Sequence, residues 1–249
     1  MPKKCVVLII LLFLCGCSSI PQGTISGVEE SESLPDATLP EIELTETYIN
    51  YTFSESDELF LSESVFVGDS IIRGLIDNGF LSDENVLAWG GVTVGEIMER
   101  MFPLPTGDGE VDLLTAIVNR KPENVFILLG TNNAALYGQD GIGAFTEDYL
   151  RLISLIKTYS SETAITVLSI TPVNIENERL NNELIGEYNN ALDAAVAELR
   201  DENVRFLSLD EELKNSLGLL KTRYGQNDGV HLTAQAYRTI LWTICDSNN

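Results

Sequence analysis

Histidine is nearly absent from this 249-residue chain: His231 is the only one. Cysteine occurs four times, at positions 5, 15, 17 and 245. A typical zinc site needs several His or Cys ligands at short spacing, and none can be assembled here. Nor do four scattered cysteines make a disulfide framework, so the fold has to rest on an apolar core. Basic residues are scarce as well. Fifteen Lys and Arg face 38 Asp and Glu, a formal net charge of −23. Such a surface repels phosphate backbones, which excludes nucleic acid as a partner. No segment repeats with a period of 20–50 residues, which argues against a solenoid. A glycine-rich nucleotide loop is missing too, because "DGIGAF" (140–145) lacks the third glycine and follows no strand. No metal and no cofactor are therefore expected.

What is present begins with a targeting pattern. "MPKK" is a short positive segment and "CVVLIILLFL" an apolar run too short to span a membrane comfortably. Leu14-Cys15-Gly16-Cys17 follows and resembles the lipobox of bacterial lipoproteins. That resemblance implies a signal peptide over 1–16, cleavage before Cys17 and a diacylglycerol on its thiol. The protein would then sit on the extracytoplasmic face of the cell membrane, held by acyl chains. An ordinary secretory signal or an uncleaved anchor is the alternative. Residues 18–64 hold eleven Asp or Glu and no Lys or Arg. The stretch 17–47 reads as an acidic, self-repelling tether. From about Tyr48 aromatics appear, so the folded domain is expected over 48–249, with its first residues packing as a lead-in.

Within that domain short apolar runs alternate with helical patterns. Strands are expected at 65–68, 85–89, 124–130, 164–170 and 204–209, each rich in Val, Ile, Leu or Phe. Helices are expected at 70–78, 94–101, 111–120, 143–159, 178–200 and 233–245, with Thr233 as an N-cap and Lys121-Pro122 as a stop. "FPLPTGDGE" (102–110) reads as a Pro/Gly loop forming a lid or rim. Strands joined by helical crossovers give a parallel sheet with helices on both faces, a three-layer α/β/α sandwich. A reaction site in such a sheet lies beyond the carboxyl ends of its strands.

Those ends carry the chemistry. "VFVGDSI" places Gly68-Asp69-Ser70 where strand gives way to helix, and "WGGVTV" places Gly90 and Gly91 after the second strand. "ILLGTNN" ends the third with Asn132 and Asn133, and "NDGVHLT" supplies Asp228 and His231 near the C-terminus. Serine is a weak nucleophile until a base takes its proton. Imidazole is the side chain whose ordinary pKa suits that task at neutral pH, and a carboxylate three residues away can fix its tautomer. Capping the following helix is the simpler role for Ser70, and a tight turn at Asn227-Asp228-Gly229 is the simpler role for Asp228.

In their order, the four blocks resemble the GDSL or SGNH hydrolases, serine esterases and lipases named for a Ser, a Gly, an Asn and a His. The likeness spans about Val65 to Tyr237. It implies a mainly five-stranded, flavodoxin-like sheet and hydrolysis of a carboxylic ester on a glycan, a lipid or a small molecule. It implies Ser70, His231 and Asp228 as the catalytic triad, with Asp69 mainly structural. Ser70 N–H, Gly91 N–H and the Asn132 amide become the oxyanion donors, Gly90 competing with Gly91. The site is expected to be shallow and loop-built. Acyl transfer to a glycan by the same triad, or a binding lipoprotein without turnover, is the rival reading. Three departures stand out: Asn85 is one position off the family's second-block asparagine, Asn133 stands where many members have Asp, and Ile71 replaces the usual leucine.

Overall fold

The computed structural model describes residues 51–104, 107, 109–175 and 179–248. The expected signal peptide, Cys17 and tether lie outside the described residues.

Five strands form one parallel sheet in the order β2-β1-β5-β6-β7: β1 (Ser64–Gly68), β2 (Val86–Ala88), β5 (Asn124–Leu128), β6 (Ala164–Leu168) and β7 (Val204–Leu207). The central strands read as unbroken apolar runs because both faces are covered. Val65 and Val67 point into one core and Phe66 into the other; Val125 and Ile127 divide from Phe126 and Leu128 in the same way. Each such side chain withdrawn from water contributes about 1.5–3 kcal/mol.

One face is covered by α3 (Val94–Ile97), α4 (Leu113–Arg120), α6 (Ile142–Tyr159) and α7 (Asn182–Leu199). The other is covered by α1 (Glu55–Ser62), α2 (Ser70–Asp77), α8 (Asp210–Leu213) and α9 (Ala234–Asp246). The three-layer α/β/α architecture is the expected one. The lead-in segment also packs: Tyr51 stacks on Trp242 of α9 with ring centroids 4.4 Å apart.

Local chemistry sets most boundaries. Asp112 caps α4 by accepting from Thr115 N–H, and Lys121 ends it in the left-handed conformation, just before Pro122. Asn181 caps α7 by accepting from Leu184 N–H at 2.8 Å. Elsewhere the structure departs from expectation. The helix expected over 94–101 stops at Ile97, and 102–110 is no simple loop. Met101–Pro103 (β3) pairs antiparallel with Glu110–Asp112 (β4), anchored by the buried Phe102. Gly130-Thr131-Asn132-Asn133 is not only a strand end, because Thr131–Tyr137 forms a further helix, α5. Thr233 occupies the N-cap position of α9 but does not cap with its side chain; its hydroxyl donates instead to Arg223 O at 2.8 Å.

Candidate active site

The β1–α2 junction is built to expose one hydroxyl. A Cβ at Gly68 would lie 2.3 Å from Ile72 Cγ1 and 2.6 Å from Leu128 O, so only glycine lets the strand end close against β5. The helix cap is Asp69, not Ser70. Asp69 Oδ1 accepts from Ile71 N–H at 2.9 Å. Ser70 therefore starts the helix with its side chain unspent and half-exposed.

The hydroxyl meets the imidazole. Ser70 Oγ lies 3.0 Å from His231 Nε2, although 161 positions separate them in the chain. His231 Nδ1 lies 2.7 Å from Asp228 Oδ2, and Asp228 Oδ1 accepts from the backbone N–H of Val230 and His231, each at 2.9 Å. Partial burial pushes the Asp228 carboxyl up, but the Val230 N–H, the imidazole and the His231 N–H outweigh it and hold it down at about 2. An ionised Asp228 makes Nδ1 the protonated nitrogen and leaves Nε2 free to accept the Ser70 proton. The turn carrying the pair is tied down: Gln226 N–H donates to His231 O at 2.7 Å, and Asn174 N–H to Gly229 O at 2.7 Å. The tight turn expected at 227–229 and the carboxylate contact coexist. The side chains of His231 and Asp228 remain 41% and 51% exposed, so solvent screens their attraction.

A second cluster joins the other blocks. Asn132, on the first turn of α5, donates from Nδ2 to Asp69 Oδ2 and to Val92 O, both at 3.0 Å. Both amide hydrogens are thus engaged, in the amide that the family resemblance assigns to the oxyanion. Asn133 Oδ1 accepts from Val94 N–H at 3.2 Å and fastens the start of α3 to α5. Of the two glycines, Gly91 adopts φ +76° with no atom within 4 Å of its would-be Cβ, whereas Gly90 stays in ordinary backbone space. Asp69 is fully buried; that burial pushes its carboxyl up to about 6, against the pull of Ile71 N–H, the imidazole and the Asn132 amide. Sequence reasoning left Asp69 with a general structural role. A polar residue wedged between an apolar strand and a helix is a capping signal, but its tie to Asn132 is tertiary and carries no local signature.

Among the clefts of the described residues, four of about 270–580 Å³ are lined by neither Ser70 nor His231. Ser70 and His231 are both partly exposed to solvent. No group of three or more His, Cys, Asp or Glu side chains is gathered for a metal ion among the described residues.

The profile of the GDSL-like lipase/acylhydrolase family matches residues 66–239. The chain belongs to this family. It is accordingly a carboxylic ester hydrolase. The fold agrees with solved structures. A GDSL-like lipase from Bacteroides thetaiotaomicron superposes with a TM-score of 0.57 at 18% identity, over 74% of this chain and 86% of the other. A family 3 carbohydrate esterase from Clostridium thermocellum gives 0.52 at 20% identity, over 73% and 92%. A carbohydrate esterase family 3 protein from Talaromyces cellulolyticus gives 0.52 at 15% identity, over 74% and 95%. No curated protein matches the sequence at a significant level.

Proposed function

We propose that this acylhydrolase cleaves its ester by a Ser70–His231–Asp228 triad. The observation that carries the reading is the unbroken relay from carboxylate to imidazole to hydroxyl, at 2.7 and 3.0 Å. His231 Nε2 takes the Ser70 proton as Oγ attacks the ester carbonyl. The carbonyl oxygen gains negative charge, and Ser70 N–H with Gly91 N–H stabilises it. The Asn132 amide joins them by sharing the hydrogen now given to Val92 O, while Asp69 keeps the other. Asp228 steadies the imidazolium. His231 then passes its proton to the leaving alcohol, the C–O bond breaks, and an acyl-Ser70 ester remains. Water, deprotonated by His231, attacks that ester and returns the acid and the free serine.

The partial exposure of Ser70 and His231 suits a small acyl group on a bulky alcohol that stays in solvent, and some proteins of similar fold are carbohydrate esterases. The lipobox-like Leu14-Cys15-Gly16-Cys17 supports a lipid on Cys17 and a station on the outer face of a cell membrane; Cys17→Ser should move the protein from the membrane fraction to the soluble fraction. The catalytic test is Ser70→Ala. Hydrolysis of 4-nitrophenyl acetate should be lost while circular dichroism and the unfolding midpoint persist. Undiminished turnover in a folded Ser70→Ala protein removes Ser70 from the mechanism.

A further inference from the structure

Trp89 is a large aromatic left partly in solvent directly after β2. It is 46% exposed and directly precedes Gly90-Gly91. Its backbone is held beside β1, with Trp89 N–H donating to Gly68 O at 3.1 Å. Gly68 pairs with Ala88 in the parallel register, so Trp89 is level with Asp69 on the next strand, one residue from Ser70. Neighbouring strands are about 5 Å apart. The Trp89 backbone thus lies one strand spacing from Asp69, the residue before Ser70.

The ring is also oriented. The Arg100 guanidinium lies over it, 5.6 Å from the centroid, and Arg100 Nε is buried without a hydrogen-bond partner among the described residues. An unpaired N–H costs stability, yet the guanidinium keeps its place against the indole. One face is braced by a cation, as the ring quadrupole favours, and a broad part of the ring still faces solvent.

We propose that Trp89 is a specificity-determining platform on which a sugar ring of the substrate stacks while its ester reaches Ser70, which makes the substrate an acylated glycan. The proposal rests on the triad reading above and deepens it. A pyranose chair with equatorial hydroxyls presents slightly positive axial C–H groups on its faces and hydroxyls round its edge. Such a face fits the negative face of an indole, and its edge tolerates water. Ser70, partly exposed beside a His231 side chain that is 41% exposed, suits a substrate that stays mostly solvated. The acidic excess of the chain, −23, makes an anionic lipid surface an unfavourable alternative.

The test compares kcat/KM for O-acetylated xylotetraose with kcat/KM for 4-nitrophenyl acetate, which has no sugar ring. Trp89→Ala should lower the glycan-to-aryl ratio about 3- to 10-fold, mostly through KM, with Trp89→Phe between it and the native protein. In parallel, O-acetylated xylotetraose added to Ser70→Ala should change the tryptophan emission. Adding Trp89→Phe should abolish that change, since only Trp242 remains. An unaltered ratio in Trp89→Ala overturns the proposal. So does an emission that ignores the glycan but shifts with phosphatidylcholine vesicles, which would assign the ring to a bilayer. If Ser70→Ala still turned over the aryl ester, the triad would fail instead; the emission titration would still decide whether Trp89 binds sugar.

Discussion

Asp69→Asn should change how the stability of this hydrolase depends on pH. The carboxyl is fully buried, and its pKa is raised from 3.8 to about 6, chiefly by burial. Because the native carboxyl binds its proton more tightly than the unfolded one, the folded state holds more protons between about pH 4 and pH 6. Stability from this group is therefore fully present below about pH 4 and is lost as pH rises through 6. A shift of roughly two units corresponds to about 3 kcal/mol, and full burial leaves no solvent screening to discount. Asparagine has the same shape and does not titrate. It still accepts from Ile71 N–H, but its own amide then faces Asn132 Nδ2, donor against donor, at a cost of about 1–3 kcal/mol at every pH. Urea unfolding at pH 4, 5, 6 and 7 separates the two effects. Relative to native protein, Asp69→Asn should be least favourable at pH 4 and improve by up to about 3 kcal/mol at pH 7. A difference that stays flat across that range would refute the buried, ionising Asp69. Turnover should also fall, by about tenfold or more, because Asn132 loses the partner that holds it near the developing oxyanion.

Two further outcomes follow from the same geometry. Asp228→Asn should keep the turn, since an amide oxygen still accepts from Val230 and His231, but it favours the wrong imidazole tautomer. kcat for an aryl ester should drop about 10³-fold with an unchanged fold, and a loss under tenfold would show that Asp228 does not orient His231. Gly68→Ala forces a Cβ into Ile72 and Leu128 O. A thermal midpoint lowered by about 5–10 °C, with activity falling alongside, is expected; an unaffected midpoint would mean that the β1–α2 junction relaxes freely.

The sheet was legible because strands buried on both faces have to be continuously apolar, and "VFVG", "NVFILLG" and "AITVLSI" are. The β3–β4 pair was not. Its apolar content is little more than Phe102 and Val111, separated by prolines and glycines that read as loop. Helix α5 escaped for a different reason: Thr-Asn-Asn after a glycine has the composition of a turn, and tertiary packing of Ala134 decides the matter. At the candidate site, Ser70, Asp228 and His231 were singled out by the ordered four-block resemblance, their local chemistry alone reading as a cap and a turn; their approach to 3.0 and 2.7 Å is a tertiary fact. Capping, weighed as the simpler role for Ser70, falls to Asp69, since serine and aspartate are both good caps and only the fold shows which oxygen meets Ile71 N–H. The engagement of both Asn132 hydrogens was beyond reach, because it depends on Val92 O and Asp69 Oδ2 converging from two other strand ends.

The measurement that bears most directly on the triad is covalent. The native protein should be treated with a fluorophosphonate, digested and mapped by mass spectrometry, with His231→Ala as the companion sample. We expect one stoichiometric adduct on Ser70, slowed by at least two orders of magnitude when the imidazole is gone. An active preparation in which Ser70 stays unmodified, or one labelled equally fast without His231, would contradict the Ser70–His231 pairing.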